Sequence, residues 1–248
     1  LARHLAGFSG AALEKLCNEA ALVAKRRSND TDKKKEITVP DFGEAKLKVL
    51  MGPSRELVIS PEERELVAYH EVGHALAAVA LGQETLEKVT LVSRKWSLGL
   101  TVLRSEERQT QTKPFLMARL TTLLAGRVAE EEFFGDAFGT GAAHDFESVA
   151  LIARSMVCEW GMSDLGPEVF YKLESSFRQG SYPLSEASKQ KIDEEVGRII
   201  SFCKTKAREI IVQNKNLIKR LADLLLEKET LGAEEIISLY QDNKSPVQ

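Results

Sequence analysis

The chain has 248 residues, 43% of them hydrophobic and 29% charged, enough to build one large core or two small ones. A formal net charge of −3, few aromatics and no basic stripe argue against a nucleic-acid binder. Three widely spaced cysteines, Cys17, Cys158 and Cys203, form no C-x-x-C, which points to a reducing compartment and away from a cysteine-held zinc.

The chain opens on Leu1 without a methionine and is expected to be a piece of a longer protein. Ser9 caps a first helix from residue 10 to about 27, with Leu13, Leu16, Cys17, Ala20, Ala21 and Ala24 on one face. Residues 28–36, with the Lys33-Lys34-Lys35 run, read as a solvated loop. Thr38-Val39-Pro40-Asp41 starts a second helix that ends near Met51-Gly52-Pro53. Residues 1–52 thus form a small helical subdomain, 53–60 a linker, and 61–248 the main domain. In the main domain Ser60 is an N-cap, Pro61 the first helical residue, Glu63 the closing member of a capping box and Gly82 the stop. The stretch 72–81 is apolar except for His74, so this third helix should be buried nearly all round. Strands follow at 86–92 and 98–103, with a turn at 93–97. Thr112 caps a long helix to about 134, stopped by Gly135, and a glycine-rich turn at 135–141 leads into a helix over about 142–160. Residues 161–182 read as irregular. Ser185 caps a long amphipathic helix to about 212, broken near Asn214, followed by a helix to about 227 and a short one after Thr230. The fold class is mainly α, with one small β-hairpin or sheet. No apolar run reaches the ~18 residues of a membrane span, and no signal peptide is visible.

The chemistry concentrates at His70-Glu71-Val72-Gly73-His74. Side chains four apart on a helix project from one face, one turn above the other. Two imidazoles so placed can grip one Zn²⁺, and the glutamate beside the first can take a proton from water. Two polar residues on an exposed helix face would be the plain alternative. The apolar surroundings oppose it, because buried histidines and a buried glutamate need partners.

The third ligand is open on local evidence. The longer H-E-x-x-H-x-x-G-x-x-H pattern needs glycine at 77 and histidine at 80, and both positions are alanine. Glu130 or Glu131, on a following helix, could serve as in thermolysin-like sites. His144 and Asp145 are the other candidates, since the glycine-rich turn before them lets a side chain at a helix start point back at a neighbour. Asp145 could equally be a first-turn aspartate favoured by the helix dipole. His144 by itself fits a surface or packing residue.

Thr140-Gly141-Ala142-Ala143-His144-Asp145, with Ser155-Met156-Val157-Cys158-Glu159-Trp160-Gly161-Met162 after it, resembles the FtsH family of membrane-anchored ATP-dependent zinc proteases. Leu1-Ala2-Arg3, Gly7-Phe8-Ser9-Gly10-Ala11 and Asn18-Glu19-Ala20-Ala21-Leu22 resemble the helical lid of that family's AAA ATPase module. Ala68-Tyr69-His70-Glu71, Gly126-Arg127-Val128-Ala129-Glu130-Glu131 and Leu225-Leu226-Glu227-Lys228-Glu229-Thr230 also match, so the likeness covers nearly the whole chain. The resemblance implies a helical zinc-protease domain with a small sheet, preceded by a helical AAA lid subdomain. It implies His70, His74 and Asp145 as zinc ligands, Glu71 as catalytic base and Glu130 close behind the metal, orienting a ligand. It also implies an edge strand around Leu98-Gly99-Leu100-Thr101 on which substrate is laid, and lid contacts to nucleotide at Gly10 and Ala11.

Three positions depart from the family pattern: Ala12 replaces an aspartate, Ser93 a proline, and His144 a common asparagine. No G-x-x-x-x-G-K-[ST] occurs, so ATP and Mg²⁺ would bind to a core outside these residues. The resemblance implies that such a core and membrane spans precede this segment, that the assembly is a hexamer, and that unfolded or membrane proteins are its substrates in protein quality control. A bacterial inner membrane and a mitochondrial or chloroplast membrane all fit. A soluble zinc peptidase without an ATPase is opposed by the lid-like residues 1–52. A catalytically silent scaffold is opposed by the intact His70-Glu71-His74 set.

Overall fold

A computed structural model of the chain describes residues 5, 8–27, 36–53, 59–93, 98–104, 110–166 and 184–244. Most of the expected 28–36 loop and the 53–60 linker, the turn at 94–97 and the greater part of the irregular stretch after residue 161 lie outside the described residues, as do Leu1-Ala2-Arg3 and Gly7.

Two helices come first: α1 (Gly10–Arg27) and α2 (Val39–Met51). They pack on each other around Leu16, Ala20 and Ala45, with Leu5, Phe8, Val23 and Phe42 alongside. The buried stripe on α1 is Leu16, Ala20 and Ala24, narrower than expected. Leu13 is 37% exposed, and Cys17 and Ala21 are exposed as well. A single partner helix covers little more than one row of side chains at a spacing of four. The start of α2 is fixed by Asp41, whose Oδ2 accepts from the Thr38 N–H (2.8 Å) and hydroxyl (2.7 Å) while Arg27 donates to both carboxylate oxygens.

The larger unit is built on α3 (Pro61–Leu81) and α4 (Lys113–Phe134). Ser60 accepts from the Glu63 N–H at 3.2 Å to start α3, and Gly82 ends it with φ 63°. Thr112 caps α4 by accepting from the Phe115 N–H. The two helices approach so closely at Gly73 that a Cβ there would stand 2.6 Å from the Ala125 carbonyl oxygen. Residues 68–78 of α3 are buried and 79–81 half-buried, close to what the apolar stretch 72–81 predicts, and nearly the whole middle of α4 is buried as well. Helices α5 (Ala143–Cys158) and α6 (Glu186–Gln213) pack on α4, while α7 (Lys215–Lys228) packs on α3 and α8 (Ala233–Lys244) on α7.

The sheet has three antiparallel strands in the order β2-β1-β3: β1 (Thr85–Thr90), β2 (Leu100–Arg104) and β3 (Thr230–Gly232). Both expected strands form, each displaced by one or two residues. The third was unforeseen, since three residues carry no readable period. It exists because Glu229 adopts a left-handed turn (φ 60°) after α7 and brings Thr230 opposite Thr90, where their hydroxyls meet at 2.8 Å. β1 is central, so β2 lies at an edge of the sheet.

Candidate metal centre

The α3 register places His70 and His74 one turn apart on the side facing α4. Their Nε2 atoms lie 3.0 Å from each other, and Asp145 Oδ2, from the first turn of α5, lies 3.2 and 3.4 Å from them. Among the described residues these three groups form the one cluster whose donor atoms all fall within 4.8 Å.

What aims the rings is their other nitrogen. His74 Nδ1 lies 2.7 Å from the Thr122 carbonyl oxygen, which can only accept, so Nδ1 carries the proton. His70 Nδ1 donates to Glu130 Oε1 at 2.5 Å. Both Nε2 atoms therefore face each other and the Asp145 carboxylate. Donors this close share a cation, either a proton on one Nε2 or a metal ion among them. Ligands held at about 2.0–2.1 Å in a tetrahedral arrangement stand roughly 3.3 Å apart, so the spacing fits zinc, and the N, N, O donor set suits it. The carboxylates draw positive charge to the rings. Burial alone would lower the His70 pKa, but hydrogen bonds to Asp145 and Glu130 outweigh it and raise the value well above the imidazole range. Burial would raise Asp145, yet its hydrogen bonds to the two histidines hold it well below the usual carboxylate range.

A second layer comes from α4. Thr122, Gly126 and Glu130 recur every four residues and so share one face. Gly126 is the floor under the rings: a Cβ there would stand 2.6 Å from His74 Nε2 and 2.8 Å from His70 Cε1. Glu130 is 2% exposed, and its second oxygen accepts from the Gly139 N–H at 3.2 Å. Arg127 donates to the Gly139 carbonyl at 2.6 Å, its guanidinium 4.3 Å from the centre of the Phe138 ring. The turn that delivers Asp145 is thus gripped through both polar groups of one peptide residue. Sequence reasoning reached Glu130 but missed Thr122, Gly126, Arg127 and Gly139. The four-residue spacing on α4 was the available signal.

Glu71 is 8% exposed and meets β2, where the Thr101 hydroxyl lies 2.7 Å from its Oε2. Leu98, Gly99 and Leu100 precede Thr101 along the same edge segment, with Gly99 packed directly on the Glu71 side chain. The rival ligands are placed elsewhere. The His144 side chain is 90% exposed beside Glu147, and Glu131 pairs with Lys204 and Arg208 of α6. Gly10 and Ala11 stand exposed at the start of α1, in the other unit. Ser93, one of the departures, donates its hydroxyl to the Leu98 carbonyl at 3.1 Å and so closes the hairpin in front of β2.

Two imidazoles from one helix, a carboxylate from another and an adjoining glutamate on a mainly helical scaffold are the parts of an H-E-x-x-H metallopeptidase. The family model described as "Peptidase family M41" matches residues 57–239, and that described as "AAA+ lid domain" matches residues 1–39. The chain belongs to peptidase family M41. It is 42% identical over 259 aligned residues to "ATP-dependent zinc metalloprotease FtsH 4" of Sorangium cellulosum, covering 99% of this chain and 39% of that protein. Proteins named "ATP-dependent zinc metalloprotease FtsH" from Bacillus subtilis (41% identical, 99% of this chain and 39% of the relative) and Thermotoga maritima (40%, 95% and 39%) are similar to it as well. The chain spans about two fifths of the length of these curated relatives.

Proposed function

We propose that this chain is the zinc endopeptidase part of an ATP-dependent, membrane-anchored protease that degrades unfolded, damaged or short-lived proteins. His70, His74 and Asp145 hold the metal, and Glu130 orients His70. Bound there, zinc supplies a Lewis acid for the scissile carbonyl and makes water acidic enough to react near neutral pH. The chain's own residues do the rest. Glu71 takes a proton from the attacking water as the new C–O bond forms, and returns it to the amine nitrogen as the peptide C–N bond breaks. The β2 edge accepts an extended peptide by backbone pairing, which tolerates many sequences. Residues 1–52 serve as the lid of an ATPase module, 53–60 as a linker and 61–248 as the protease domain. The working assembly is a hexamer at a membrane, with ATP and Mg²⁺ bound outside these residues.

The observation that carries the reading is the convergence of three donor atoms from two helices, with both imidazoles already anchored through Nδ1. The test is Glu71→Gln. It should keep one zinc per chain and reduce casein cleavage by a factor of about 10²–10⁴, the usual contribution of a proton shuttle. Comparable cleavage by the variant would remove Glu71 as base. Loss of zinc from the wild-type fold without loss of cleavage would remove the metal reading altogether.

A further inference from the structure

The general base is gripped by a residue of a different element. The Thr101 hydroxyl of β2 is 2.7 Å from Glu71 Oε2 and 2.9 Å from the Glu71 backbone carbonyl oxygen. Carboxylate and carbonyl oxygens only accept, so the single hydroxyl proton is shared between them in a bifurcated hydrogen bond, with the shorter arm to Oε2. Two residues earlier, Gly99 lies against the same side chain. A Cβ at Gly99 would stand 2.7 Å from Val67 Cγ1, 2.8 Å from Glu71 Cγ and 3.0 Å from Oε1, so a larger residue would push these side chains aside. Glu71 is therefore packed at its stem against Gly99, just before β2, and held at one oxygen by Thr101 of β2. The strand itself is pinned. Thr101 pairs with Val89 of the central strand, and neighbouring Val102 is buried.

A glutamate side chain has three torsions and no covalent tether at its head. A base that must meet a water at a fixed point gains from having those torsions set beforehand, because a displacement of about 1 Å can cost 10²-fold in rate. The sequence resemblance places Thr101 against substrate. The geometry instead turns its hydroxyl inward, to the enzyme's own carboxylate.

We propose that Thr101 is a positioning residue for Glu71: its hydroxyl holds Oε2 and so fixes how the carboxylate is presented to the reacting water. Gly99 supplies the room for that arrangement. The strand offered to the substrate backbone is then also the strand that sets the base. This inference rests on the reading of Glu71 as base.

Steady-state cleavage of a quenched fluorescent peptide by the zinc-loaded holoenzyme tests it, with zinc content and melting temperature measured on every variant. Thr101→Val keeps the shape and removes the hydroxyl, Thr101→Ala removes both, and Thr101→Ser restores the hydroxyl. The Val and Ala variants should bind zinc and melt as the wild type does, with kcat lowered by about 10- to 100-fold and KM within a factor of about two. Thr101→Ser should recover most of kcat. A Val variant with undiminished kcat, a loss confined to KM, or a Ser variant as slow as Val would overturn the proposal. Glu71→Gln in the same assay separates the two readings. If it is inactive while Thr101→Val is fully active, only the positioning role fails; if it remains active, the base assignment itself fails.

Discussion

An imidazole has two nitrogens, and at His70 and His74 one of each is committed to the scaffold. The Thr122 carbonyl and the Glu130 carboxylate accept from the Nδ1–H groups, which fixes each ring and points its Nε2 at Asp145. Such outer partners normally matter nearly as much as the ligands. Gly126 belongs with them because it sets how deep the rings can sit. Gly126→Ala should force both rings outward, since its methyl would stand within 3 Å of each. The expected result is a 10- to 100-fold loss of zinc affinity, read by competition with a chromophoric chelator, and destabilisation of about 1–3 kcal/mol. Wild-type zinc affinity in this variant would mean that the rings are not seated on α4 as described.

At the scale of elements, α4 is what joins the parts. Its middle is buried against α3, α5 and α6, so one helix face carries the metal's backing while the others carry the core. The stretch after α5 returns to this framework through Glu195 of α6, which accepts two hydrogen bonds from Arg198 (2.7 Å each) and one from the Asp164 N–H (3.0 Å). The Arg198 bonds, with the Asp164 N–H, outweigh burial and hold the Glu195 carboxyl below its usual 4.5. A carboxyl whose folded pKa is depressed contributes its stabilisation in full above the unfolded value, and loses it as pH falls through the folded value. Glu195→Gln should therefore cost about 1 kcal/mol at pH 7 and progressively less in acid, giving a flatter acid limb in urea melts taken from pH 7 to 3. A difference that stays constant over that range would show that Glu195 is not charge-paired in the native state. The sheet teaches a separate point. β1 and β2 were legible from their composition, but β3 was not. Thr230–Gly232 is a strand only because a left-handed turn at Glu229 lays it beside Thr90.

For the whole molecule, an ion held by His70, His74 and Asp145 would tie α3 to α5 across α4, and one bound only by the folded chain would add to global stability. Zinc at about 10³ times its dissociation constant would contribute roughly 4 kcal/mol. In a chain of this size that corresponds to about 10 °C. Stripping zinc with a chelator should lower the melting temperature by about that amount, and one equivalent of zinc should restore it, as followed by differential scanning fluorimetry. An unchanged melting temperature after complete metal removal would be incompatible with ligands drawn from two separately packed helices. Among the described residues no helix is long and apolar enough to cross a membrane.

Local patterns settle within a few residues of the chain, and those the sequence by itself determined: the caps and stops of the long helices, the buried character of α3, and the pairing of His70 and His74 on one face. Helical spacing and capping chemistry need no distant partner. The choice among Glu130, Glu131, His144 and Asp145 was different in kind. Each candidate stands more than fifty residues beyond His74. Which of them arrives is decided by how α4 grips the 135–142 turn and rotates α5. Only the tertiary structure turns Asp145 inward, leaves His144 in solvent and sends Glu131 to α6. A ligand's identity can be read from its residue type, but its direction depends on backbone placed by packing far away in sequence.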